Sequence, residues 1–187
     1  MKATGIVRRI DDLGRVVIPK EIRRTMRIRE GDPLEIFVDR EGEVILKKYS
    51  PISELSDFAR EYAESLSDAL GHIVIIADRD MIIAVSGGSK KEYMKKPVGP
   101  ILEKVMNDRR TLIVNQIQDE VNKELLSLVE SEEKNEITSI CISPIIPQGD
   151  VIGTVVICSK EPNIRMGDME QKLAETAAGF LAKQLEQ

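Results

Sequence analysis

The first 48 residues constrain the fold most, because they offer hairpins with too little chain to cover them. Thr4 to Ile10 reads as a strand, Asp11-Asp12-Leu13-Gly14 as a turn and Arg15 to Ile18 as a second strand. Pro19 suits the first position of a short helix reaching about Met26. Beyond the Glu30-Gly31-Asp32-Pro33 loop, Leu34, Ile36 and Val38 alternate with Glu35, Phe37 and Asp39. Val44 and Leu46 resume that pattern after Glu41-Gly42, so a second hairpin with one apolar face is expected. Roughly 45 residues with neither disulfide nor metal bury too little surface to stand alone. Interleaving hairpins from two chains into one barrel solves that problem; a monomeric mini-barrel buries less.

This short module is also basic. Met1 to Arg29 holds nine Lys/Arg against Asp11, Asp12 and Glu21, a net charge of +6. Residues 1–50 together carry 12 basic and 9 acidic side chains, whereas the remainder carries 15 and 23, a net of −8. DNA repels the acidic part, so only the N-terminal face can approach a polyanion.

Three stretches carry a family likeness: Thr4 to Arg8 (Thr-Gly-Ile-Val-Arg), Leu13 to Pro19 (Leu-Gly-Arg-Val-Val-Ile-Pro) and Ile22 to Arg24 (Ile-Arg-Arg). Residues 3–48 resemble the AbrB-type swapped-hairpin DNA-binding domain of bacterial transition-state regulators. Over its full length the chain is similar to SpoVT-type sporulation regulators, which join that domain to a GAF-like one. The resemblance implies an intertwined dimer bound to double-stranded DNA. Arg8, Arg15, Arg23 and Arg24 match the family's DNA-contacting positions, and Arg9, Lys2 and Lys20 are expected to add phosphate contacts. Arginine suits the task because its planar fork donates bidentately to guanine edges and phosphates. A departure stands at Met26-Arg27, where the family often has Leu-Gly. Arg27 then occupies the left-handed position at the helix end, or extends the basic surface.

Tyr49-Ser50-Pro51 marks the boundary between two expected domains, 1–50 and 51–187. The second opens with an amphipathic helix whose apolar positions are Leu55, Phe58, Ala59, Tyr62, Ala63, Leu66, Ala69 and Leu70, stopped by Gly71. Strands follow at His72 to Ala77 and Met81 to Val85, then a helix from Gly99-Pro100 to Asp108 and a short strand at Thr111 to Val114. Asp119 to Val129 reads as a polar helix. A hairpin joins Thr138 to Ile146 with Val151 to Cys158, and Asp168-Met169-Glu170-Gln171 resembles a capping box for a last helix bearing Met169, Leu173, Ala177, Leu181 and Leu185. This order fits an α+β sensor fold with an antiparallel sheet and terminal helices. Order alone does not separate GAF from PAS; the long terminal helices and the resemblance favour GAF.

Enzymatic chemistry finds no support here. His72 is the only histidine, and it opens an apolar strand beside a helix-ending glycine, where a structural role is the commoner one. Asp78 and Asp80 flank a turn. Cys141 and Cys158 sit in apolar strands without metal-ligand spacing and read as buried hydrophobes in a reduced cytoplasm. No catalytic residue, metal site or cofactor is expected. No leader or membrane span is expected either, since charge begins at Lys2 and apolar runs are short. A small-molecule effector remains open for the GAF-like part. Ser86, Gly87, Gly88 and Ser89 are the pocket candidates, with Asn115 and Gln116 further ones, against the alternative of a ligand-free assembly module. The expected function is transcriptional regulation of sporulation genes in the cytoplasm, as a homotetramer built from swapped dimers. The alternative is a MazE-like antitoxin that binds a toxin and its own promoter.

Overall fold

The computed structural model describes residues 5–54, 56–116, 127–129 and 136–186. The chain divides into two compact units, Met1–Tyr49 and Ser50–Gln187.

In the N-terminal unit, α1 (Lys20–Thr25) follows Pro19, which precedes the helix with φ −58° and ψ 149° and is itself buried. A hairpin of β1 (Leu34–Val38) and β2 (Val44–Lys48) pairs Ile36 with Leu46 and Val38 with Val44, the register the alternating pattern requires. The expected strands at Thr4 to Ile10 and Arg15 to Ile18 differ. Their turn closes, but the described residues 5–10 and 15–18 form no ladder. Val7, Ile10, Leu13, Val16 and Val17 stay exposed, as do Ile36, Val38 and Val44 on the hairpin. Among the described residues a single copy therefore leaves this unit without a covered core that would draw residues 5–10 and 15–18 into a sheet.

The C-terminal unit is a five-stranded antiparallel sheet flanked by helices. After α2 (Pro51–Glu54) and α3 (Ser56–Leu70) come β3 (Ile73–Asp78), β4 (Ile82–Ser86), α4 (Lys90–Tyr93), α5 (Pro100–Asp108), β5 (Leu112–Asn115), β6 (Ser139–Ile145), β7 (Gly153–Ser159) and α6 (Asp168–Gln184). Strand order is β4-β3-β7-β6-β5. All seven residues of β7 are buried, because helices cover both faces of the sheet. On one face Ile75, Ile140, Ile142, Val156 and Cys158 meet Ile101, Leu102 and Val105 of α5. On the other, Val74, Ile76, Cys141, Val155 and Ile157 meet Ala59, Ala63 and Leu66 of α3 and Ala174, Ala177, Ala178 and Leu181 of α6. The run of alanines lets both helices lie close to the β-branched surface beneath them.

Several details differ from the sequence reading. The N-terminal bond of α6 is made one residue earlier: Gly167, not Asp168, precedes the helix, and its amide donates to the Glu170 carboxylate at 2.7 Å. Leu181 and Leu66 are buried, whereas Phe58 and Met169 are exposed. Leu55 lies outside the described residues, as does the expected helix over 119–126. At its end Val129 makes a lone antiparallel bridge to Val98 rather than a helical turn.

Candidate nucleic-acid interface

Asp11 organises the first turn. Its amide donates to the Arg15 carbonyl at 3.0 Å, and the Gly14 amide donates back to the Asp11 carbonyl at 2.9 Å. Oδ1 of Asp11 accepts from the amides of Leu13 (3.0 Å) and Arg15 (2.8 Å), the self-capping that aspartate supplies in turns. Oδ2 accepts from Nε of Arg15 at 2.8 Å. The Arg15 amide first, then its side chain, hold the Asp11 carboxyl below its ordinary 3.8. Gly14 takes φ +76°, which a side chain would strain.

The second hairpin repeats the device. Asp39 donates to the Glu43 carbonyl, Gly42 donates to Asp39, and Oδ1 of Asp39 accepts from the amides of Glu41 and Glu43 at 3.0 and 2.9 Å. Residues 11–15 and 39–43 thus share an Asp-x-x-Gly-x turn with the same bonds.

The expected cations are distributed as follows. Arg8 and Arg9 precede the first turn and Arg15 follows it; Lys20, Arg23 and Arg24 ride on α1; all six are exposed. Lys2 lies outside the described residues. Arg23 and Arg24 sit in the last turn of α1, where the helix dipole favours cations. Arg27 takes the left-handed conformation at φ +51° in place of glycine, and the Ile28 amide closes the end on the Arg23 carbonyl at 2.8 Å. The Arg27 carbonyl in turn accepts from Lys48 Nζ at 2.8 Å. Arg27 therefore ends the helix as its sequence position suggested.

The residues considered for a ligand in the second unit are placed as follows. A Cβ on Gly87 (φ +70°) would collide with Ser67 Oγ and lie 2.6 Å from the His72 carbonyl oxygen, and one on Gly88 would lie 2.9 Å from Ile73. The loop is therefore seated on the end of α3. The Ser67 hydroxyl donates to the His72 carbonyl at 2.8 Å, so that backbone is fixed as well. Ser86 ends β4, and Ser89 precedes α4 without a capping bond from its side chain. Asn115 brackets Met166 on the approach to α6: Nδ2 donates to its carbonyl at 2.9 Å and Oδ1 accepts its amide at 2.8 Å. Gln116 is exposed at φ +59°.

An open cleft of about 300 Å³ lies elsewhere, lined by Val105, Asp108, Arg110, Thr111 and Leu112. Sequence reasoning missed it because it forms between the end of α5 and β5. Asp78 serves its own turn, accepting from the amides of Asp80 and Met81 at 2.7 Å and from the Ser50 hydroxyl at 3.0 Å. Burial pushes the Cys141 and Cys158 thiols up to about 12, so neither is a ready nucleophile. Among the described residues no three His, Cys, Asp or Glu side chains group as metal ligands, and no helix is long and apolar enough to cross a membrane.

Comparison with known proteins places both units. The family model for the C-terminal part of stage V sporulation protein T, a transcription factor, matches residues 54–186. That for the MazE antitoxin, in antidote-toxin recognition, matches residues 7–54. Stage V sporulation protein T of Bacillus subtilis is 60% identical over 187 residues, the whole of both chains. Transition state regulatory protein AbrB of the same organism is 67% identical over 51 residues, 27% of this chain and 52% of AbrB. Among solved structures, the GAF domain of a phosphoenolpyruvate-protein phosphotransferase from Coxiella burnetii superposes with TM-score 0.56 at 16% identity, covering 71% of this chain and 82% of that one. The equivalent Acinetobacter domain gives 0.57 at 16%, covering 71% and 82%. The second unit has the GAF fold, which resolves the choice against PAS. The chain as a whole is mixed, an AbrB-like N-terminal part followed by an α+β GAF-like part.

Proposed function

The chain belongs to the stage V sporulation protein T family of transcription factors, and on that premise we propose how its two parts divide the work. Residues 1–50 bind double-stranded DNA as a swapped-hairpin dimer. Arg8, Arg15, Arg23 and Arg24 make the principal contacts, with Arg9, Lys20 and Lys2 on phosphates. One observation carries this reading: a closed, self-capped turn holds exposed cations beside apolar residues that a single copy cannot cover. A second chain supplies the cover and the two-fold duplicates the cations, which suits a duplex.

Residues 51–187 serve assembly, and a small-molecule effector is a further role for them. Phe58 is 51% and Phe180 36% exposed, and Phe180 stacks on Tyr62 with ring centroids 5.1 Å apart. This aromatic face on α3 and α6 is the proposed second association surface, joining swapped dimers into a tetramer. A cytoplasmic setting follows from work on DNA. The antitoxin alternative has the MazE match to residues 7–54 in its favour. A toxin-binding tail, however, would have to follow that match, where this chain continues into a GAF fold.

The test is DNA binding by the full chain carrying Arg15→Ala and Arg24→Ala together. Affinity for its promoter duplex should fall by about 1–3 kcal/mol for each of the two arginines that reads a base, with the melting profile retained. Unaltered affinity would refute the assignment.

A further inference from the structure

The two Asp-x-x-Gly-x turns differ in one bond of the aspartate side chain, and that bond lies on the proposed DNA face. In the second turn the residue four after the aspartate is Glu43, and only Oδ1 of Asp39 has work in closing the turn. In the first, that residue is Arg15, and the second carboxylate oxygen of Asp11 holds its Nε at 2.8 Å. Turn closure needs Oδ1 alone, so the bond from Oδ2 is additional to it. Asp11 is also an anion on the surface meant for a polyanion, where its charge opposes association.

We propose that Asp11 is a positioning residue for DNA recognition: its Oδ2 fixes the guanidinium plane of Arg15 and leaves the two terminal nitrogens as a pre-aimed fork for a base edge. An arginine side chain is long and 69% exposed here, so an unheld Arg15 would spread over many rotamers and lose entropy on binding. Holding Nε removes one donor and orients the remaining four N–H groups, leaving an end-on pair suited to bidentate contact with guanine. Asp11 therefore lowers affinity for any duplex through its charge while raising the preference for the right one.

The inference rests on the DNA-contact role proposed above for Arg15, and its test separates the two. Five full-length proteins are compared: wild type, Asp11→Asn, Asp39→Asn, Arg15→Ala and the Asp11→Asn/Arg15→Ala double variant. Each is titrated against a duplex that the wild type has enriched from a random pool, and against an unrelated duplex of equal length. Asparagine keeps Oδ1 as an acceptor for the turn but replaces Oδ2 by an amide that cannot accept from Arg15. Asp11→Asn should lower the ratio of specific to non-specific affinity about fivefold, part of the discrimination one bidentate contact carries. Its binding to the unrelated duplex should stay equal or rise. Asp39→Asn, in the matched turn whose last residue is Glu43 in place of an arginine, should leave the ratio as in wild type. Adding Asp11→Asn to Arg15→Ala should change the ratio no further, because the two act as a unit.

An unchanged ratio in Asp11→Asn, with a lowered one in Arg15→Ala, overturns the proposal and leaves the Arg15 contact standing. An equal loss on both duplexes together with a lower melting temperature makes Asp11 a turn residue only and overturns it too. If Arg15→Ala leaves the ratio intact, the base contact itself is refuted, and the proposal falls with it.

Discussion

Removing the aromatic face on α3 and α6 should dissociate the assembly without unfolding the unit that bears it. A phenylalanine has about 200 Å² of surface. Exposures of 51% and 36% therefore leave about 100 Å² on Phe58 and about 70 Å² on Phe180. Truncating both to alanine removes about 125 Å² of apolar surface per chain, or about 250 Å² across a two-fold contact. At about 25 cal/mol per Å² this is about 6 kcal/mol. Ordering the four rings takes back about 2 kcal/mol, at the low end per side chain because Phe180 is already stacked on Tyr62. The remaining 4 kcal/mol or so is on the order of a 1,000-fold weaker association. Sedimentation velocity across a dilution series should show Phe58→Ala/Phe180→Ala at half the wild-type mass, with its thermal transition nearly unmoved. Leu66→Ala is the control. Leu66 is 7% exposed and packs beneath the helix, so its truncation should cost about 2–5 kcal/mol of stability. Retention of the wild-type mass by a folded double variant at every concentration would refute the face as an interface.

Three further outcomes are expected. Gly87→Ala should destabilise by about 2–5 kcal/mol, from left-handed strain of about 1–2 and a forced contact with the His72 carbonyl of about 1–3; Gly149→Ala, at φ +91° with open space around it, should lose only the strain, and equal losses in urea titrations would contradict the packing argument. Arg27→Gly should relieve the left-handed residue at the end of α1 and raise N-terminal stability by about 1 kcal/mol, read as an upward shift of that unit's melting. Glu92→Gln should cost about 0.5–1 kcal/mol, since both carboxylate oxygens of the part-buried Glu92 accept from Lys160 Nζ at 2.9 Å. Burial opposes ionisation of Glu92, but the Lys160 bonds win and hold its carboxyl below 4.5. Burial likewise opposes the Lys160 charge, but Glu92 raises it above 10.5. The gap between wild type and Glu92→Gln should therefore be full between those values, close as pH falls through the lowered Glu92 pKa, and close again as it rises through the raised Lys160 pKa; a flat difference in melting temperature from pH 3 to 8 would exclude the ion pair as its cause.

What was legible in the sequence followed from periodicity and turn chemistry. The alternation over Leu34 to Val38 and Val44 to Lys48 set a register that the hairpin keeps. The glycines at 14, 42 and 71 all take left-handed φ, the conformation that ends turns and helices. The apolar stripe of α3 was legible as a stripe but not as a direction. Phe58 and Leu66 lie on one helix eight residues apart, yet the sheet covers Leu66 and leaves Phe58 in solvent. Alanines rather than large residues mark the buried side, because close approach, not bulk, decides contact there. The close seating of Gly87 and Gly88 against their neighbours was not legible, because glycine that admits a ligand and glycine that admits a neighbouring backbone are spelled alike. The Asp11–Arg15 bond was in principle readable from its spacing of four across a turn, but whether a carboxylate binds amides or a guanidinium depends on side-chain geometry. The cleft near Arg110 gave no signal, since its lining comes from the end of one element and the start of another.

The central sheet is also a partition. Every residue of β7 is buried, and neighbours along it serve opposite layers: Cys158 faces α5 while Ile157 faces α3 and α6. A molecule lodged on the α5 side cannot touch the helices that carry the aromatic face. Its influence has to pass either through bodily displacement of strands or around the sheet's margin. At that margin β5 is the edge strand, and its last residue, Asn115, grips the Met166 backbone just before α6 through two hydrogen bonds. A movement of β5 by even a fraction of an ångström is thus handed directly to the root of the last helix.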